Sequence, residues 1–300
     1  MKILLINIDS TIPNLALAKI EMYHKSLGDE IIKDMLFYAE LVDKIYVSCI
    51  FTKNRYKARE YEKYNAIIGG SGYDIKSNLP DEIEVLNPKI NIGFASRGCI
   101  RKCEFCIVPE KEGWIRGVGD LYDIWDGESK LVTFLDNNIL AIPDHFKIIC
   151  EQAQENNLMI DFNQGLDIRL LTDDIAKTIS KTKLKELRFA LDYPEMIPIC
   201  KNKIKTLRDH IPKATPFFYV LIGFNTTIEQ DFERLYFLKS MNCRAFVMQH
   251  ENSYGSHIYY LIRNWANMFW TFMKYDFDEF KQVKENEYKK TDKLTIEIPF

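Results

Sequence analysis

Three of the seven cysteines in this 300-residue chain fall close together, as Cys99, Cys103 and Cys106 in the stretch GFASRGCIRKCEFCIVPEKEG between Gly93 and Gly113. Thiolates are soft ligands that bind iron-sulfur clusters or zinc. A structural zinc or an electron-transfer cluster normally recruits four protein ligands, and C-x3-C-x2-C spacing supplies three. Three thiolates can hold three irons of a four-iron cluster and leave the fourth open to a small chelating molecule. Two other classes stay open on the same residues: an iron-sulfur electron carrier or sensor completed by a fourth protein ligand, and a zinc-stabilised binding protein. The remaining cysteines point to no second cluster. Cys49 lies in an apolar run and reads as a small buried residue, while Cys150, Cys200 and Cys243 fall on helices or near their ends, toward the face opposite the cluster.

Such a loop needs a scaffold, and the sequence alternates strand and helix throughout. Residues 1 to about 90 read as a small α/β unit. KILLINI is a fully apolar strand, LALAKIEMYHKSLGDEI has apolar residues at helical spacing with Gly28 near its end, and DKIYVSCIF and NAIIGG are further buried strands. With the short GGSG turn at 69 to 72 they suggest a parallel, flavodoxin-like (Rossmann-like) sheet smaller than a full five-stranded one. His24 within the helix reads as a surface or interhelix histidine.

Asn87 and Pro88 end that unit. Beyond them, strands are expected near 91 to 97, 131 to 136, 158 to 163, 186 to 191, 217 to 222 and 244 to 248. Helices are expected near 120 to 127, 142 to 156, 172 to 181, 195 to 210, 227 to 241 and 258 to 273. Six βα units in series with right-handed crossovers make a parallel (β/α)6 barrel, three-quarters of an eight-fold one, whose active face is formed by the loops after the strands. The expected division is 1–88, 89–273 and a carboxyl-terminal extension over 274–300, in which 274–293 reads as a surface connector and LTIEI as an edge strand.

The cysteine spacing, together with Phe105 just before Cys106, resembles the radical S-adenosylmethionine (radical SAM) superfamily. The resemblance implies a 4Fe-4S cluster on Cys99, Cys103 and Cys106, with the amine and carboxylate of S-adenosylmethionine (SAM) on the open iron. An electron from the cluster, supplied by a reductant such as flavodoxin or ferredoxin, then cleaves SAM to a 5′-deoxyadenosyl radical that abstracts a hydrogen atom from an unidentified substrate. It further implies a cofactor-binding role for Phe105 and for residues at strand ends. Asp136 and Asn137 would accept from the SAM amine. Asn163, Asp167 and Arg169 would meet its carboxylate or ribose, or the substrate, Arg169 through its planar fork. Gly223 and Asn225 would lie near adenine. His250, Glu251 and Tyr254, after the last strand, are candidates for substrate recognition or a hydrogen-atom relay.

The first 88 residues resemble the cobalamin-binding domain that precedes this barrel in many relatives. Those domains carry a ligand histidine in a D-x-H-x-x-G loop after the first strand, and here His24 sits inside the helix. A degenerate domain that kept the packing and lost the corrinoid is expected. CIVP followed by Gly113 is similar to methylthiotransferases, which use three more cysteines in an amino-terminal domain where this chain has Cys49, and a carboxyl-terminal RNA-binding domain for which there is no room. Methyl- or methylthio-transfer remains an alternative, and hydrogen abstraction leading to rearrangement, oxidation or bond formation is the expected outcome.

Composition limits the rest. The net charge of −3 advertises no general attraction to phosphate backbones, and the lysines of KTKLKELR at 181 and KNKIKTLR at 201 read as a solvated surface, so nucleic acid is not indicated. No stretch is apolar over the ~18 residues a membrane span needs. An odd number of cysteines without a signal sequence fits a reducing compartment, and a cytoplasmic protein is expected.

Overall fold

Alternation along the first strand builds a sheet buried on both sides. β1 (Lys2–Asn7) sends Leu4 and Ile6 to one face, where they meet Ile45, Val47, Cys49, Ala58 and Tyr61, and sends Ile3 and Leu5 to the other, where they meet Leu17, Ile20, Tyr46 and Ile83. α1 (Leu15–Ser26) opens on Asn14, whose side chain accepts from the Leu17 N–H. β2 (Glu30–Lys33), β3 (Lys44–Ser48), α2 (Arg55–Arg59), β4 (Ile67–Gly69) and α3 (Asp81–Glu84) follow. The strands run in the order β2-β1-β3-β4, every pair parallel. Apolar cover on both faces is what a parallel sheet requires.

Two expectations are corrected here. The run through DEI does not continue the helix: Gly28, at φ +78°, turns the chain, and Glu30–Lys33 pair with β1. His24 is buried, not on the surface. Its Nδ1 lies 2.7 Å from Asp29 Oδ2 and its Nε2 3.1 Å from the Tyr46 hydroxyl.

Next come β5 (Ile92–Gly93), β6 (Ser96–Arg97), α4 (Val108–Lys111), β7 (Arg116–Gly117), α5 (Leu121–Ile124), β8 (Leu131–Phe134), α6 (Pro143–Glu155) and β9 (Met159–Phe162). β8 lies between β5 and β9, and β5 and β8 are parallel. The strand expected over 91–97 is split in two. β6 leaves β8 and pairs antiparallel with β7, because the Ala95 and Ser96 N–H groups are taken by a carboxylate, that of Asp136.

The rest comprises α7 (Asp173–Lys181), β10 (Lys183–Leu184), β11 (Arg188–Ala190), α8 (Ile197–His210), β12 (Phe217–Ile222), α9 (Ile228–Ser240), β13 (Arg244–Gln249), α10 (His257–Ala266) and α11 (Phe269–Lys274). β11, β12 and β13 form a parallel sheet in that order. One face buries Phe189, Phe218, Val220, Ile222, Ala245 and Val247; the other carries Phe217, Tyr219 and Phe246, with Phe217 and Phe246 stacked. The helix expected over 258–273 breaks after Ala266. The Asn267 side chain there accepts from the Val247 N–H and donates to its carbonyl, which satisfies the backbone of an edge strand.

The chain is thus mixed α/β with several parallel sheets. This computed structural model describes residues 1–284. The stretch expected as a surface connector is not all surface, since Phe277 and Phe280 are buried and Phe277 packs on Phe232 and Trp265; the edge strand expected in LTIEI and residues 285–293 lie outside the described residues. The chain divides into two compact units that part between Asp161 and Phe162. No helix among the described residues is long and apolar enough to cross a membrane.

Candidate metal centre

The hairpin of β6 and β7 frames the cysteine loop. At its mouth Gly98 has φ +87°, and a Cβ there would stand 2.5 Å from the Trp114 carbonyl oxygen and 2.7 Å from that of Gly113. Only glycine lets the two sides of the loop approach so closely. The Cys99 N–H then donates to the Gly113 carbonyl at 3.2 Å, and the Cys106 N–H to the Cys103 carbonyl at 3.0 Å, the turn that brings those two residues together.

The seven thiols fall into two groups. Cys49, Cys150, Cys200 and Cys243 are buried, whereas Cys99, Cys103 and Cys106 are partly exposed. Burial pushes the Cys200 and Cys243 thiols up to about 12 and raises that of Cys49, so these stay protonated. Cys49 stands just past the end of β3. Cys99 Sγ, by contrast, accepts from the Arg101 N–H at 3.3 Å and from Asn138 Nδ2 at 3.4 Å. The two N–H donors fix the position of this sulfur at the mouth of the loop. Among the described residues no three His, Cys, Asp or Glu side chains converge as they would on a single ion. A four-iron cluster does not ask for that, since each thiolate binds a different iron. The donor set, its partial exposure and the N–H bonds to sulfur fit such a cluster.

Asp136 follows β8 and is 2% exposed. It accepts from the Ala95 N–H at 3.0 Å and from the Ser96 N–H and hydroxyl, so it anchors the strand that leads into the cysteine loop. Burial pushes its pKa up to about 6 against these hydrogen bonds and the nearby His145. His145 Nε2 lies 3.1 Å from the Ala95 carbonyl and 3.0 Å from that of Gly119, on the other side of the same backbone. Phe105 and Asn137 are partly exposed, Phe105 within the loop and Asn137 beside Asp136.

In the second unit Arg169 grips Asp167 through two bonds, Nε to Oδ1 at 2.6 Å and Nη2 to Oδ2 at 2.9 Å. Arg169, expected to meet a carboxylate of SAM or the substrate, thus has Asp167 as a carboxylate partner within the chain. The Asn163 carbonyl accepts from the Tyr219 hydroxyl. Gly223, at φ +72°, lets Ser253 come so near that a Cβ would stand 2.6 Å from its side chain, and Asn225 is also left-handed at φ +50°. His250 packs against Phe224 at 4.7 Å between ring centroids. Its Nδ1 accepts from the Asn252 N–H, which leaves the proton on Nε2. Glu251 and Tyr254 are exposed.

Sequence reasoning missed Asp192 and the pair Asp231 and Arg234. Burial raises the Asp192 carboxyl, opposed by the Leu221 N–H and by Arg234 and Arg169. A signal was present: Leu135-Asp136, Leu166-Asp167 and Leu191-Asp192 repeat one pattern after β8, β9 and β11. Arg234 is fully buried, donates to the Leu191, Asp192 and Leu221 carbonyls and pairs with Asp231, which also accepts from the Gly223 N–H and the Thr226 hydroxyl. Together they tie the ends of β11 and β12.

Outside the carboxyl ends of β1 and β3, where an open parallel sheet takes its ligand, Asp9 bridges the two loops. It accepts from the Ile50 and Phe51 N–H groups at 2.8 and 2.9 Å and from Asn54 Nδ2 at 3.1 Å. No protein-family model matches the chain, and no curated protein matches it.

Proposed function

We propose that this chain is a radical SAM enzyme built on a (β/α)6 barrel of β5, β8, β9, β11, β12 and β13, preceded by a small flavodoxin-like domain. One observation carries the reading: three partly exposed thiols share a loop closed at Gly98, and one of their sulfurs takes two N–H hydrogen bonds. Cys99, Cys103 and Cys106 would hold the 4Fe-4S cluster. When bound, the cluster supplies an electron that cleaves SAM and yields a 5′-deoxyadenosyl radical able to take a hydrogen atom from an unactivated carbon.

The chain's own part is to fix and to enclose. Asp136 and His145 hold opposite sides of the Ala95 backbone and so set where the loop begins. Asn138 fixes Cys99. In the second unit, Arg234 and Asp231 hold the strand ends that carry Asp192 and Gly223, while Arg169 and Asp167 form a neutral pair beside them. A substrate group would meet the Nε2–H of His250 and the accessible side chains of Glu251 and Tyr254. A corrinoid has no part in this reading. Asp9 spans the crevice it would need, the residue two beyond Asp9 is Thr11, and His24 is engaged by Asp29 and Tyr46.

Anaerobic reconstitution with iron and sulfide tests the proposal, followed by electron paramagnetic resonance with and without SAM and an assay for 5′-deoxyadenosine. A four-iron signal that shifts on SAM addition, with 5′-deoxyadenosine released after reduction, is the expected result. A cluster indifferent to SAM would make the chain a carrier or sensor, and a colourless zinc-loaded protein would remove the enzyme reading.

A further inference from the structure

The proposed chemistry makes no use of the near-repeat KTKLKELR and KNKIKTLR at 181–188 and 201–208. The two copies do not share a structure. The first runs from the last residue of α7 through β10 into β11, and the second lies wholly inside α8. What they share is charge. From Lys177 to Lys213 the sequence holds ten basic and four acidic side chains, a local excess of six in a chain whose net charge is −3. Such an asymmetry is the footprint of an anionic partner.

The structure separates the cations by use. The arginines turn inward: Arg188 pairs with Glu186 at 3.0 Å, and Arg208 donates to the Ala214 and Met241 carbonyls. Lys177, Lys181, Lys201, Lys205 and Lys213 are exposed, and none of them makes an ion pair or side-chain hydrogen bond among the described residues. α7 packs beside α8, and His210 in the last turn of α8 lies 2.7 Å from Asp173 in the first turn of α7, so Lys177, Lys181, Lys201 and Lys205 occupy neighbouring helices, with Lys213 three residues past the end of α8.

Helix dipoles do not account for this placement. Lys181 stands in the last turn of α7, where a cation is favoured, but Lys177 lies mid-helix. Lys201 is near the amino end of α8, whose first turn has no acidic residue. Lys177 with Lys181, and Lys201 with Lys205, are like charges one turn apart, which repel. A polyanion laid across both helices would offset that repulsion.

The kind of polyanion follows from what is missing. No large apolar side chain between Lys177 and Lys213 is exposed, so this surface has no anchor for a lipid bilayer and no aromatic platform on which bases could stack. We infer that α7 and α8 form a surface that binds the phosphate backbone of a nucleic acid without reading its sequence. The inference stands apart from the metal centre and is tested on the metal-free full chain.

Fluorescence anisotropy with a labelled single-stranded RNA, an RNA duplex and a DNA duplex of mixed sequence supplies the measurement. The expected result is binding to all three that weakens linearly on a log-log salt plot. K177E/K201E/K205E/K213E should lower affinity by about tenfold or more and flatten the slope by about 3, as loss of four phosphate contacts requires. K53E/K57E/K63E, in the first unit, should bind as the parent does. Should the fourfold variant not fold, K177E/K213E and K201E/K205E each carry half the effect. No binding at low salt, equal loss in the first-unit variant, or binding to phosphatidylserine vesicles in place of nucleic acid would overturn the assignment.

Discussion

Ser96 donates both its backbone N–H and its hydroxyl to Asp136 Oδ1, each at 2.5 Å, across forty residues of chain. The contact joins the end of β8 to the strand that enters the cysteine loop, three residues before Cys99. A carboxylate resembling a ligand-binding group in the sequence is spent on the backbone that positions the thiols.

That burial gives Asp136 a pH signature. Its folded pKa, pushed up to about 6, lies above the unfolded value of 3.8, so the native state holds the proton more tightly between those limits. The associated stability is fully present below about pH 4 and is lost as pH rises through about 6. The Asp136→Asn variant, which has no proton to lose, should be destabilised relative to wild type, and by more at pH 4.5 than at pH 7.5. The difference between the two should not exceed about 3 kcal/mol. Urea midpoints at the two pH values measure it; a gap that is constant or widens with pH would refute the account.

Gly98→Ala should be the most damaging glycine change in the loop. Its Cβ would strike backbone oxygens at 2.5 and 2.7 Å in a left-handed conformation, whereas Gly113, also left-handed, has open space around it. The first should cost about 3 kcal/mol or more and the second about 1 kcal/mol. Thermal denaturation of the metal-free chains ranks them, and equal effects would mean that the loop does not close as described.

Thiol chemistry separates the two groups of cysteines without any metal. At pH 8, Ellman's reagent should titrate three thiols in the native metal-free chain and seven after unfolding. Cys200 and Cys243, near 12, expose only about one thiolate in ten thousand. Replacing Cys99, Cys103 and Cys106 together with alanine should abolish the fast phase and iron loading alike. Iron retained at the parent level by that triple variant would remove the proposed ligands.

The repeating elements were legible because periodicity alone specifies them. β12 occupies the residues expected of it, and α9 matches within one residue at each end, opened by Thr227 and Gln230 in a capping box. Expectation failed where a distant group overrides the local pattern. Ile31 and Ile32 continue the helical spacing of α1, yet β1 offers them a partner. Asp136 takes the N–H groups that would have extended β5, and Asn267 leaves the helix to serve Val247. His24 could not be placed from sequence because its partners include Tyr46, twenty-two residues away. Strand-end carboxylates were readable from position, since Leu-Asp recurs after three strands. Their partners were not.

Asp231 and Arg234 show that limit at its clearest, for a pair three residues apart on a helix reads in the sequence as a surface ion pair. Here both are wholly buried. A surface pair of this kind is worth under 1 kcal/mol. Arg234→Met would leave the Asp231 carboxylate buried without its counter-charge and free three strand-end carbonyls, at a cost of about 3–5 kcal/mol. Asp231→Asn with Arg234→Met removes the stranded charge and should recover part of that loss, which makes the coupling measurable as a double-mutant cycle. Guanidinium unfolding of the parent and the three variants supplies the four values. Additive losses would mean that each residue serves its own backbone partners and that the ion pair itself does nothing to hold Asp192 and Gly223 in place.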